Sequence, residues 1–173
     1  MLRYGLSVPV AMFMNLFVYA TCWLWAGLSL VFWRDGMMPR PLFYLSTHDG
    51  LDGGQKQLGW PKVTGIKLFK QRVIWLCRNC AVMFHLMVLG IDGKGAVVEG
   101  NTDDTPETRI SGGLRYTIVT PRGRYFGYRR DIGWTEKKYM KLWFGWHYRP
   151  HDGFHQFKFM INPWKTQVAF GGG

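Results

Sequence analysis

At 173 residues the chain has room for one modest domain and an anchor, not for two full domains. Its 22 Lys+Arg against 11 Asp+Glu give a net charge of +11, and aromatic residues, nine of them Trp, make up 17%. That mixture argues against a small neutral ligand and for a partner that is anionic and partly apolar or stackable, such as a lipid headgroup or a nucleic acid.

Residues 1–33 read as a transmembrane anchor. Residues 8–33 carry no formal charge and, at 1.5 Å per residue, make about 39 Å of helix, enough to cross a hydrocarbon core of about 30 Å with tilt. Pro9 falls near the helix start, where proline is tolerated, and Asn15 is the one strongly polar interruption. The apolar run continues well past any plausible signal-peptide cut, so an uncleaved span is expected. Trp23, Trp25, Trp33 and Arg34 are the expected interfacial residues. Only Arg3 precedes the run, whereas Arg34, Arg40, Lys56, Lys62, Lys67, Lys70, Arg72 and Arg78 follow it. The positive-inside rule therefore expects the C-terminal body in the cytoplasm.

Residues 34–63 are punctuated as a loop by Asp35-Gly36, Pro39-Arg40-Pro41, Asp49-Gly50 and Asp52-Gly53-Gly54. Asp49 and Asp52 read as turn residues rather than cation ligands. Residues 64–91 carry helical periodicity, with Lys67, Gln71, Arg78 and His85 on one stripe and Ile66, Phe69, Val73, Cys77, Cys80, Phe84 and Met87 near another face. Arg78-Asn79 leaves too little apolar length after it for a second crossing. An amphipathic helix is expected, either lying in the membrane interface with Lys67, Lys70, Arg72 and Arg78 among headgroups or packing on the C-terminal sheet. Residues 92–113 hold most of the acidic side chains outside the loop and read as a solvated acidic linker or loose hairpin.

From residue 114 to 173 the period becomes two. Strands are expected at 114–120, 125–134, 139–148 and 154–161, joined by short turns into an antiparallel meander. The expected fold class is α+β: an N-terminal transmembrane helix, an amphipathic second helix and a C-terminal antiparallel β-meander. From Arg109 onward 12 basic residues face 3 acidic ones. Arg122, Arg124, Arg129, Arg130, Lys137, Lys138 and Lys141, with Trp143 among them, are the expected anion-binding set. Such a set suits single-stranded nucleic acid by charge and stacking, and equally an anionic leaflet. Beside an anchor, the membrane takes precedence.

Catalytic chemistry is hard to assemble. His48 and Asp49 are adjacent, so on extended chain their side chains diverge. Cys77-x-x-Cys80 with His147 and His151 is a weak zinc candidate, because 66 residues separate Cys80 from His147 and Pro150 and Asp152-Gly153 break any helix there. No enzyme, metal or cofactor is expected.

Three groups of motifs carry a resemblance: Pro39-Arg40-Pro41 with Leu51-Asp52-Gly53, then Trp75-Leu76-x-Arg78-Asn79, then Tyr125-Phe126-Gly127-Tyr128-Arg129 and Ile161-Asn162-Pro163. The layout resembles a loose group of small membrane proteins encoded by tailed bacteriophages. Those sequences often carry proline after Arg-Asn, where this chain has Cys80. The resemblance implies a viral origin and action at the bacterial inner membrane, and no reaction. The combined expectation is a single-span inner-membrane protein of the infected host with a cytoplasmic body. It would bind anionic lipid, or a host or phage membrane protein, in envelope modification or superinfection exclusion. The alternatives are a membrane-tethered nucleic-acid binder and a virion or ejection-associated component.

Overall fold

The computed structural model describes residues 2–135, 138–149 and 153–166. The chain divides into two compact units, Met1–Leu89 and Gly90–Gly173. The architecture is α+β, with one long apolar helix, shorter helices and an antiparallel sheet.

In the first unit, helix α1 (Leu2–Phe32) runs for 31 residues and is long and apolar enough to cross a bilayer. Pro9 lies in its interior, about two turns from the start, because the helix begins at Leu2 and not near Val8. Apolar side chains from Leu2 to Phe32 stay exposed along it, among them Phe13, Leu16, Tyr19, Trp23 and Val31. Small residues occupy part of its other side: Cys22, Ala26 and Ser29 are buried, and Gly27 leaves room for the Phe69 ring.

The loop after α1 folds tightly. It holds two 3-10 turns (Arg34–Gly36 and Leu42–Leu45) and the short helix α2 (Gly53–Leu58). Gly36 and Gly50 both take positive φ, and the Leu51 N–H donates to the Gly36 carbonyl at 2.9 Å. Gly53 and Gly54 have no side chain because the rings of Trp75 and Trp60 fill that space. His48 and Asp49 meet at 3.1 Å rather than diverging, since the chain turns there instead of extending.

The expected single helix over 64–91 is two. Helix α3 (Gly65–Arg78) ends at Asn79, whose side-chain amide donates to the Trp75 carbonyl, and α4 (Val82–Met87) follows. Between them Ala81 takes a left-handed φ of 47°. The Ala81 and Met83 N–H groups donate to the Leu45 and Ser46 carbonyls, so the loop captures the backbone that a continuous helix would need. Helix α3 runs back along α1, placing Phe69 beside Gly27 and Cys77 beside Cys22. The core joins Val18, Cys22, Met38, Leu45, Leu51, Leu76 and Ala81.

The second unit is a six-stranded antiparallel sheet in the order β1-β6-β5-β4-β3-β2. Strands β3 (Leu114–Thr120), β4 (Gly123–Thr135), β5 (Lys138–His147) and β6 (Phe154–Thr166) are the expected meander. Edge strands β1 (Ile91–Asp92) and β2 (Val97–Asn101) extend it. The stretch read as an acidic linker therefore supplies Asp92 of β1, all of β2 and a helix, α5 (Pro106–Ser111), while Ile91, expected at the end of the helical stretch, opens β1. Thr105 caps α5 by accepting from the Thr108 N–H, and Pro106 occupies its first turn.

Candidate anion-binding site on the sheet

Register decides which of the expected cations meet. Arg129 on β4 lies opposite Trp143 on β5, which lies opposite Met160 on β6. Directly paired residues share a face, so Arg129, Lys141, Trp143, His147 and Lys158 share one. Trp143 is only 7% exposed, and three cations cover it. Arg129 Cζ, Lys141 Nζ and Lys158 Nζ lie 4.5, 4.5 and 4.6 Å from its ring centroid. The His147 ring meets the same indole edge-on at 4.5 Å.

Arg129 is tied down behind this cluster. Its Nη1 donates to both Asp104 oxygens at 2.8 and 2.7 Å, and Arg109 bridges Asp104 and the buried Asp131 at 3.0 Å each. Burial pushes the Arg129 pKa down while Asp104 and Asp131 pull it up, and the net direction is down. Lys158 has no ion pair among the described residues. Burial, then Lys141, Arg149 and Arg129, push its pKa down to about 7. Burial and the same cations, Lys158 first, push His147 down to about 3, so its imidazole is neutral at physiological pH.

The other expected residues do not join this site. Arg122 sits in the β3–β4 turn, and Arg124 is exposed and paired with Glu99 across to β2. Arg130 lies on the opposite face, level with Leu142 and Ile161. Lys137 lies outside the described residues, as does the side chain of Lys138. Lys158 and Arg149 were missed in the sequence. Alternation in β6 held the signal, because Phe157 and Phe159 facing one way send Lys158 the other.

The opposite face carries an aromatic row. Tyr128, Phe144 and Phe159 pair across β4, β5 and β6, with centroids 6.2 and 5.8 Å apart, and Arg115 lies over Tyr128 at 5.4 Å.

The expected interfacial residues also separate. Trp23, Arg34, Lys67, Lys70 and Arg78 are exposed, whereas Trp25 and Trp33 pack against the core. Arg72 is a correction. It is 3% exposed, holding Asp52 through Nε and Nη2 at 2.6 and 2.8 Å and donating from Nη1 to Ser29 Oγ at 2.8 Å. A guanidinium so engaged is not available to a headgroup.

Cys77 Sγ lies 3.0 Å from Cys22 Sγ, and Cys80 donates to the Leu76 carbonyl; all three cysteines are free. Burial raises Cys77 to about 12 and Cys80 to about 11, so both stay thiols at neutral pH. His147 is committed to Trp143, and His151 lies outside the described residues. Among the described residues no group of three His, Cys, Asp or Glu side chains is placed to hold a metal ion.

No curated protein and no solved structure matches the chain. The chain belongs to DUF7338, a family of unknown function, whose match over residues 1–169 takes in both units.

Proposed function

We propose that this protein is a single-span membrane protein that works by binding an anionic component of the envelope through its basic sheet. The observation that carries the reading is the cluster of cations over Trp143, in a chain that also holds a 31-residue apolar helix. Exposed apolar side chains along α1, Trp23 among them, have a natural solvent in lipid, and Arg34, just past the helix end, suits an interface. The Arg72–Asp52 pair meets α1 at Ser29, one turn from its C-terminal end, a depth at which an ion pair is tolerable. The body lies in the cytoplasm on this reading, because nearly all the flanking positive charge follows α1. The motif resemblance suggests a phage origin and action at the inner membrane, and the role we propose there is host-envelope modification or superinfection exclusion.

The test is partition of the full chain. It should resist alkaline carbonate extraction from bacterial membranes, and a reporter fused after the last residue should be active only in the cytoplasm. In neutral detergent it should bind phosphatidylglycerol micelles in preference to phosphatidylcholine, and salt should weaken that binding. Extraction by carbonate, or no preference for anionic lipid, would overturn the reading. A second reading, a membrane-tethered nucleic-acid binder, is favoured by the Tyr128–Phe144–Phe159 row with Arg115 over it. It requires binding of single-stranded DNA that falls when Phe144 is replaced.

A further inference from the structure

Cations packed this closely repel one another, and in a partly desolvated setting that repulsion is not screened as it is at the surface. On the sheet face around Trp143, the described residues include two carboxylates near the cluster, Asp104 and Asp131; both are engaged by Arg109, and Asp104 by Arg129 as well. Lys158 is left without an ion pair among the described residues, its ammonium resting on the indole. Arg149 is close enough to act on both Lys158 and His147. An anion placed among these groups would turn mutual repulsion into attraction.

The geometry favours a compact anion over a polymer. Arg129, Lys141 and Lys158 come from three neighbouring strands and converge on one ring, instead of forming a track along the sheet. Arg124 is paired with Glu99 and Arg130 faces the other way, so the basic side chains do not continue as a groove. Trp143 is buried beneath its cations and offers no free face for a base to stack on. A phosphate group concentrates its charge on one small group, which suits cations gathered around one ring, and the neutral His147 carries an N–H to donate.

We infer that Lys158 and Lys141, over Trp143, with Arg149 within electrostatic reach, form a binding site for a single phosphate group, carried by a lipid headgroup or by a free phosphomonoester. The headgroup source rests on the membrane reading above; the phosphate site itself does not. Because repulsion and burial hold the Lys158 pKa near 7, a bound anion restores its charge, and binding takes up a proton around neutrality. The other groups facing it, Lys141, Arg149, Arg129 and the already neutral His147, do not supply that proton site.

The experiment is calorimetric titration of the full chain in neutral detergent. The probes are sulfate, which stays a dianion throughout the neutral range, then inorganic phosphate, micelles containing phosphatidic acid, and a single-stranded oligonucleotide. Sulfate should bind, more weakly as the pH rises through neutrality. Lys158→Gln should weaken it by about tenfold or more, the worth of a charge-assisted hydrogen bond, and abolish the pH dependence. Lys158→Arg should keep the binding and lose the pH dependence, which a merely structural role for Lys158 would not produce. Lys94→Gln, in the exposed β1–β2 turn, should change neither. Phosphatidic acid outcompeting inorganic phosphate identifies the headgroup as the source, and the converse identifies the free monoester. Sulfate binding unchanged in Lys158→Gln overturns the site, as does an oligonucleotide that binds far more tightly than sulfate and ignores that substitution. Sulfate binding by a chain that carbonate extracts from membranes would remove the anchor and leave the site standing.

Discussion

Arg72 grips Asp52 with two nitrogens, 2.6 and 2.8 Å from the two carboxylate oxygens, with the guanidinium buried and the carboxylate nearly so. The third guanidinium nitrogen reaches Ser29 on α1, so one side chain ties the long helix, the loop and α3 together. The loop is shaped around this pair. A side chain at Gly36 would overlap the Asp52 carboxylate, and one at Gly53 would overlap the Trp75 ring.

Removing one partner strands the other charge, whereas removing both does not. Arg72→Ala and Asp52→Ala should each cost about 3–5 kcal/mol, and the double variant clearly less than their sum. Urea unfolding of the full chain in detergent, followed by circular dichroism, measures this. Additive losses would show that the two side chains do not act as a pair.

The meander was legible because its alternation is strict and its turns carry proline and glycine; the strand starting at Leu114 ends at Thr120 as expected. The Thr105-Pro106 pair is also a helix start in the sequence, but it lies among acidic residues whose density suggests a solvated linker. Their purpose is internal: Asp104 holds Arg109 and Arg129. Asp52 and Arg72 lie 20 residues apart with no local signal, so Asp52 looked like a turn residue and Arg72 like one cation among several. The break at Ala81 was hidden for a similar reason. It is imposed by Leu45 and Ser46, and nothing in the local periodicity records them. Among the cations, composition gave the total, but only strand register showed which of them converge on Trp143.

Gly145 is a position where the backbone permits little else. Its φ is +88°, and a side chain there would run into the Phe126 carbonyl on the neighbouring strand. Gly145→Ala should therefore cost about 2–4 kcal/mol, from strain and overlap together. Gly133→Ala, where nothing lies within 4 Å, should stay within about 0.5 kcal/mol of the parent. Thermal unfolding of both variants decides it, and equal losses would mean that β5 tolerates a shift at Gly145.

The packing of α3 on α1 has a chemical readout. With Cys22 and Cys77 sulfurs 3.0 Å apart, treatment with diamide should join them by removing one hydrogen from each thiol. Because the Cys77 thiol is held up at about 12, the reaction should be slow at neutral pH and accelerate as the pH rises. Peptide mapping under non-reducing conditions should find a Cys22–Cys77 link, and Cys80→Ser should form it as readily as the parent. A dominant Cys77–Cys80 link would instead contradict the placement of α3 against α1.

The sheet unit should become more stable as pH rises, in two separate windows. His147 titrates at about 3 when folded and near 6.5 when unfolded, so between those values the unfolded chain binds the extra proton. That contribution is fully present above pH 6.5 and is lost as the pH falls toward 3. Lys158 repeats the pattern higher up, at about 7 folded against about 10.5 unfolded, so stability rises again from pH 7 upward. Replacing His147 by Phe should flatten the acid limb alone, and replacing Lys158 by Met the alkaline limb alone. Urea midpoints across the pH range test the assignment, and saturating sulfate adds a further check. Because sulfate binds the charged form, it should raise the midpoint less and less as the pH climbs past neutrality, and most below pH 7, where folded Lys158 already holds its proton. A midpoint that sulfate leaves unmoved there would separate the pH response of Lys158 from any anion.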